Sequence, residues 1–320
     1  MSVPSGTYQT YQAVGRREDL TDVIHDISPT KTPFMSSIGK GTADQKNHEW
    51  QTDVLAAADG TNKVIEGDDP SNDSATATVR LGNYTQLMDK VIQVASSNRV
   101  GAKAGRGDEL SYQRTKRIKE IKRDMEARLT GNYASAAGAA GTARECAGFE
   151  AWIQTNASRG TGGSSTAFSG GVQAAATDGT QRAFDESMLK TVLASMADNG
   201  GEVDGALVLL GSFNKQAAST FEGIAAQRQQ AGGNLATIVA GADVYVSDFG
   251  RVNMVYSQFS RSRSALVVDP EMWKLCYYQP FKVEDLAKTG HSDRQLLSVE
   301  FTLEACNEKS SGVVADLTTS

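Results

Sequence analysis

The chain is poor in the residues that most often carry chemistry or covalent structure. It has three cysteines in 320 residues, Cys146, Cys276 and Cys306, far apart and odd in number. That pattern makes neither a disulfide framework nor a zinc-binding spacing, and it predicts reduced thiols packed as small apolar groups. Histidine is equally rare, at His25, His48 and His291. His48-Glu49-Trp50-Gln51-Thr52 opens like the zinc-protease pattern, but it lacks the second histidine four residues on. It also lies in strand-like sequence, where two ligands could not share a helix face. No G-x-S-x-G nucleophile elbow and no phosphate-binding loop occurs, and Gly105-Arg106-Gly107 is half of a dinucleotide fingerprint without its third glycine. No run of 18 apolar residues is present, so no helical membrane span is encoded, and MSVPSGTYQT has neither the basic nor the apolar region of a signal peptide. The formal net charge is −6, which excludes a protein that grips duplex DNA with most of its surface. The reading is therefore of a chain with no catalytic residues, no cofactor and no metal site.

What is present is organised in blocks. Residues 1–15 read as an extended arm. Leu20, Val23, Ile24 and Ile27 mark one face of a short helix over 16–27. Ser28-Pro29 ends it, and 28–34 reads as a rigid, extended turn. Trp50, Thr52 and Val54 share one parity, and Ala77, Val79 and Leu81 alternate with Thr76, Thr78 and Arg80. Beyond Gly82-Asn83 the apolar parity shifts to Tyr84, Met88, Ile92 and Val94, which predicts a bulge at the glycine. Glu66 to Asp73 is a turn between the two arms. The spacing predicts a long β-hairpin whose arms of about 20 residues would reach roughly 65 Å. Such a ribbon is unstable alone in water and needs a surface, most naturally a neighbouring subunit. Its tip carries Asp59, Glu66, Asp68, Asp69 and Asp73 against Lys63, and is expected to meet basic residues of that neighbour.

Residues 107–130 predict a helix roughly 36 Å long. Asp108 caps it, Leu110, Ile118, Ile121, Met125 and Leu129 form a narrow apolar stripe, and Gly131-Asn132 stops it. Arg106-Gly107-Asp108 spells an adhesion tripeptide, but the cap accounts for the aspartate. Arg114, Lys116, Arg117, Lys119, Lys122 and Arg123 give the helix a basic face on an acidic protein. That face is either solvated and supported by Glu120 and Asp124, or a contact for DNA or an adjacent subunit. Residues 131–180 are rich in Gly, Ala, Ser and Thr. Phe149, Trp152 and Ile153 anchor a turn there, and 156–180 reads as a mobile loop. An α/β segment follows: a helix from Met188 to Met196 stopped at Asn199-Gly200, a buried strand at 206–210, and a helix capped by Ser212 and running through Phe221. Short strands are expected at 244–246, 252–256, 265–268 and 273–278. Leu297, Val299, Phe301 and Leu303 mark a half-buried strand over 296–304, and Val313-Val314 a last short one.

This order of extended arm, long hairpin, long surface helix, loop, α/β segment and closing strand resembles the major capsid proteins of tailed bacteriophages. Local text is similar to one phage capsid family, at Asp26 to Phe34, Gly211 to Lys215, Leu266 to Trp273, Gln279 to Phe281 and Glu300 to Glu304. The resemblance implies an α+β Hong Kong 97-type capsid fold. Its parts would be an N-terminal arm (1–39), an extended loop (40–95), a peripheral domain with the spine helix and a Gly-rich loop (96–180), an axial domain (181–285) and a return to peripheral-domain strands (286–320). It implies hexamers and pentamers of an icosahedral shell around double-stranded DNA, assembled in the host cytoplasm. Partners would include a portal and a decoration protein, with no membrane. A hairpin beginning near residue 45 leaves no room for a fused scaffolding segment, so a separate scaffolding protein is expected. The alternatives are an encapsulin-type compartment of the same fold and a soluble α/β enzyme.

Overall fold

A computed structural model describes residues 28–67, 69, 75–100, 105, 107–221 and 244–320. The helix expected over 16–27, Arg106 and the acidic residues Asp68 and Asp73 lie outside them. In chain order the elements are α1 (Pro33–Ser37), β1 (Gly39–Thr42), β2 (Asn47–Thr52), β3 (Val79–Tyr84), β4 (Gln86–Ala95), α2 (Ser96–Val100) and α3 (Glu109–Thr130). Then come α4 (Phe149–Trp152), β5 (Ala157–Ser158), α5 (Glu186–Asp198), β6 (Leu207–Leu210), α6 (Ser212–Ala218), β7 (Val244–Ser247) and β8 (Gly250–Tyr256). The last are β9 (Ala265–Val268), β10 (Trp273–Leu286), β11 (Ser292–Ala305) and β12 (Gly312–Val314).

Two sheets carry the fold. One has the order β1-β10-β11-β4, with β1 parallel to β10 and the other pairs antiparallel. The other has the order β5-β12-β9-β6-β8-β7. The first is covered by α3. Leu297, Val299, Phe301 and Leu303 alternate inward from β11 and are buried with Ile121, Met125 and Leu129 of the helix. Phe149 of α4 seals that core, with its ring 5.6 Å from Phe34 and 4.4 Å from Trp273. The second sheet is covered by α5 through Leu189, Val192, Leu193 and Met196. Asn199 caps α5, Gly200 takes a positive φ of 78°, and Gly201 N–H reaches back to Met196 O at 2.8 Å. Only a residue without a Cβ adopts that reversal cheaply. The sheets do not follow the chain segments: β10 leaves the α/β segment for the first sheet, while β5 and β12 join the second.

Several local expectations are corrected. Pro33 and Phe34 open a helical turn, because proline fits the first helical position and its missing N–H costs nothing there. The hairpin is far shorter than its alternation suggested. Only β2 and β3 pair, from Asn47 with Tyr84 to Thr52 with Val79, and no strand occurs among the described residues between them. Val54 lies beyond the paired part. Gly82 is no bulge but sits in register opposite Glu49, where a Cβ would stand 2.9 Å from the Glu49 Cγ. The parity shift comes from Thr85, where the chain leaves the hairpin and enters the first sheet. Thr85 N–H donates to Lys46 O at 2.9 Å and its hydroxyl to Glu300 at 2.5 Å. Ser212 starts α6 without capping it, and that helix stops at Ala218.

The stretch 156–180 is not a loose loop. Gln173 is buried and its Nε2 donates to Ala151 O and Thr166 O, both at 2.7 Å. Asn132 exchanges bonds of 2.7 and 2.8 Å with the Ala176 backbone. Buried Glu150 accepts from Ser264 at 2.9 Å and faces Arg159 and Arg261, at 3.4 and 3.2 Å. Polar side chains with backbone partners do here what apolar packing does elsewhere, so hydropathy alone gives no sign of order.

Candidate functional site

The surfaces on which another chain could act are the hairpin and the back of α3. The root of the hairpin is fixed. Trp50 on β2 lies 5.5 Å from Trp152, which stacks on Phe168 at 5.8 Å. Asn83 on β3 is buried; its Nδ2 donates to Leu303 O at 2.9 Å and its Oδ1 accepts Ala147 N–H at 2.9 Å. From Asp53 to Gly67 every residue is exposed. This loop holds Val54, Leu55, Val64 and Ile65 in solvent, Leu55 at 93% and Val64 at 87% exposure. Asp59 folds onto its own neighbour, accepting Thr61 N–H at 2.8 Å and the Thr61 hydroxyl at 2.6 Å, and these bonds hold its carboxyl below the usual range. Glu66 and Asp69 are exposed and make no ion pair with a described residue. The structure thus brings Asp59, Glu66 and Asp69 to one loop and adds four apolar residues that charge counting passed over. The signal was available, since Val54-Leu55 and Val64-Ile65 stand on either side of Asp59, the second pair immediately before the acidic run that starts at Glu66.

Helix α3 begins as expected, with Asp108 accepting from Ser111 N–H. Its basic face divides in two. Arg114 donates to Gln295 Oε1 at 2.9 Å, Arg117 pairs with Glu120 at 2.6 Å, and the Arg123 guanidinium sits 5.2 Å from the centre of the Phe259 ring. These three are half-buried and spent within the chain. Lys116, Lys119 and Lys122 are exposed, three residues apart on one edge of the helix. Glu120 and Asp124 are also held by Lys90 of β4, at 3.8 and 2.8 Å, so their partners are not confined to the helix. The stripe is extended by an acid that patterning placed on the charged back. Glu126 is buried, and its carboxylate accepts Phe34 N–H at 2.7 Å and Met35 N–H at 2.9 Å. It anchors α1 on α3, and burial pushes its pKa up to about 7 despite those two bonds.

Among the described residues no helix is long and apolar enough to cross a membrane. The structure is similar over nearly its whole length to shell proteins. It aligns with a chain of the cyanophage A-1(L) capsid asymmetric unit at TM-score 0.67 and 14% identity, covering 98% of this chain and 99% of that one. It aligns with a chain of the cyanophage P-SCSP1u capsid at TM-score 0.61 and 10% identity, covering 99% and 97%. At these identities the likeness fixes the fold, which is the Hong Kong 97 type. By sequence, the chain is 39% identical over 127 residues to the major capsid protein of Escherichia phage Phieco32, a match spanning 40% of this chain and 36% of that protein. Residues 3–318 match the SU10 major capsid protein family, and the chain belongs to that family of phage major capsid proteins.

Proposed function

We propose that this chain builds the icosahedral head of a tailed phage as hexamers and pentamers around double-stranded DNA, and that the exposed 53–67 loop is laid across a neighbouring copy. The observation that carries the reading is the exposed loop with its apolar side chains. Covering a Leu, Val or Ile contributes roughly 1.5–3 kcal/mol each before the cost of association, and no described residue covers these. The acidic residues of the tip meet basic residues of the neighbour and set its register. In this reading the first sheet with α3 is the peripheral domain, the second sheet with α5 the axial domain, and a separate scaffolding protein guides closure in the host cytoplasm. The exposed lysines of α3 contact packaged DNA or an adjacent subunit.

The test is electron microscopy of the purified chain beside a variant lacking residues 60–75. The wild type should give closed shells, tubes or rings, and the deletion a folded chain that gives none. Unaltered shells from the deletion would overturn the role given to the loop, and a monomer under every assembly condition would overturn the shell reading. Shells loaded with an enzyme instead of nucleic acid would point to a cargo compartment.

A further inference from the structure

Three residues with donor atoms of different kinds converge where the hairpin root lies on the first sheet. His48 comes from β2, Cys276 from β10 and Glu304 from β11. His48 Nε2 is 3.1 Å from Glu304 Oε2, and Cys276 Sγ is 3.3 Å from the same oxygen. All three donor atoms lie within 4.8 Å of one another. Glu304 is 256 residues from His48 and 28 from Cys276 in sequence, so no local spacing betrays the group. The site is largely closed, with Cys276 buried and the His48 and Glu304 side chains 17% and 14% exposed.

Donors about 2.0–2.3 Å from a tetrahedral ion stand about 3.3–3.8 Å from each other, close to the separations found here. An imidazole, a thiolate and a carboxylate together suit zinc and its neighbours better than calcium or magnesium, which prefer oxygen alone. Cys306 Sγ lies 3.3 Å from the other oxygen, Glu304 Oε1, outside this group of three. Lys274 Nζ is also 3.3 Å from Oε1. One thiolate, one carboxylate and a neutral imidazole around a dication leave no net charge, with a fourth position for water. The backbone leaves room as well. Gly41 of β1 pairs with Cys276, and a Cβ on it would stand 2.8 Å from the sulfur.

We propose that His48, Cys276 and Glu304, with water as fourth ligand, form a binding site for a zinc-class dication that fastens the hairpin root to the first sheet. Without the ion the Cys276 thiol donates a hydrogen bond to Glu304. On binding, its proton leaves to solvent as the sulfur becomes a thiolate, so affinity rises with pH. Two ligands belong to the sheet and one to the strand from which the exposed loop springs, so the ion fixes the base of the loop. This inference does not depend on what the loop touches.

The experiment is a cobalt titration of the full chain, stripped with a chelator under reducing conditions. The expected result is one cobalt ion per chain, with a sulfur-to-cobalt charge-transfer band in the near ultraviolet that zinc abolishes. Cys276→Ser and His48→Gln should each weaken binding roughly tenfold or more. Cys276→Ser should also abolish the band, as the loss of the one ligating thiolate requires, while Cys306→Ser and Cys146→Ser leave it unchanged. Circular dichroism of each variant without metal guards against misfolding, and zinc should raise the unfolding midpoint of the wild type but not that of folded Cys276→Ser. Absence of the band in the folded wild type, or an unchanged band in folded Cys276→Ser, overturns the site. Loss of the band in folded Cys306→Ser overturns the ligand set.

Discussion

Between Asn47 and Tyr84 the chain is built in two ways. The paired root, β2 with β3, has every feature of an interior: Trp50 against Trp152, Asn83 buried between Ala147 and Leu303, Gly82 so close to Glu49 that no side chain fits. The loop it carries is exposed throughout from Asp53 to Gly67, yet includes Val54, Leu55, Val64 and Ile65. Apolar residues scattered singly over a surface need no explanation, but four in one exposed loop do. The contrast teaches that the two halves of this hairpin are held by different means. The root answers to the fold of its own chain; in the function proposed, the loop answers to a surface outside it.

The largest expected effect tests that division directly. Trp152→Ala removes the ring between Trp50 and Phe168 and should cost roughly 3–5 kcal/mol in urea unfolding of the unassembled chain. Changing Leu55 and Val64 together to serine should move the same unfolding curve by no more than about 0.5 kcal/mol per site while reducing shell yield. Equal losses of stability from the two variants would show that the loop is part of the chain's own core, and the comparison would fail.

How much of this was legible in the sequence depends on where each residue finds its partner. Helix α3 could be read because its signals are local: Asp108 at the start, Leu110, Ile121, Met125 and Leu129 on one stripe, glycine at the end. The same holds for β11, whose alternation survives as Leu297, Val299, Phe301 and Leu303 facing the core. The reach of the hairpin could not be read so, because alternation from Thr76 to Thr78 reports strand propensity, not the presence of a pairing partner. Thr85 switches the chain from one sheet to another by bonding Lys46 and Glu300, and neither contact leaves a periodic trace. Apolar spacing also says nothing of His48, Cys276 and Glu304, which only tertiary structure assembles.

The middle effect concerns another junction, that of α1 with α3. Glu126 is buried with its pKa raised from an ordinary value of 4.5 to about 7. The folded chain therefore holds this proton more tightly than the unfolded one. Its contribution favours the fold below about pH 4.5 and is lost as pH rises to about 7, a change on the order of 3 kcal/mol. Urea unfolding of the unassembled chain should show wild-type stability falling between pH 5 and pH 8 by an amount that Glu126→Gln abolishes. A glutamine variant with the same slope would place the titrating group elsewhere.

The smallest effect on the fold is expected where α3 repeats the contrast of the hairpin on one helix. Arg114, Arg117 and Arg123 are engaged with Gln295, Glu120 and Phe259, while Lys116, Lys119 and Lys122 stand exposed beside them. Replacing all three lysines with serine should change stability by only about 0.5 kcal/mol, because exposed charges gain little from ion pairs in water. If these lysines meet phosphates, the logarithmic salt dependence of duplex binding by the chain should become shallower by about 0.9 for each lysine in contact. If they meet an adjacent copy, that slope stays as it is and shell assembly weakens instead. The arginines offer the internal control: Arg123→Ser removes a cation held over an aromatic ring and should destabilise the folded chain by roughly 0.5–1 kcal/mol while leaving the salt slope alone. A salt slope that follows Arg123 and not the lysines would reverse the assignment of the two halves of the helix face.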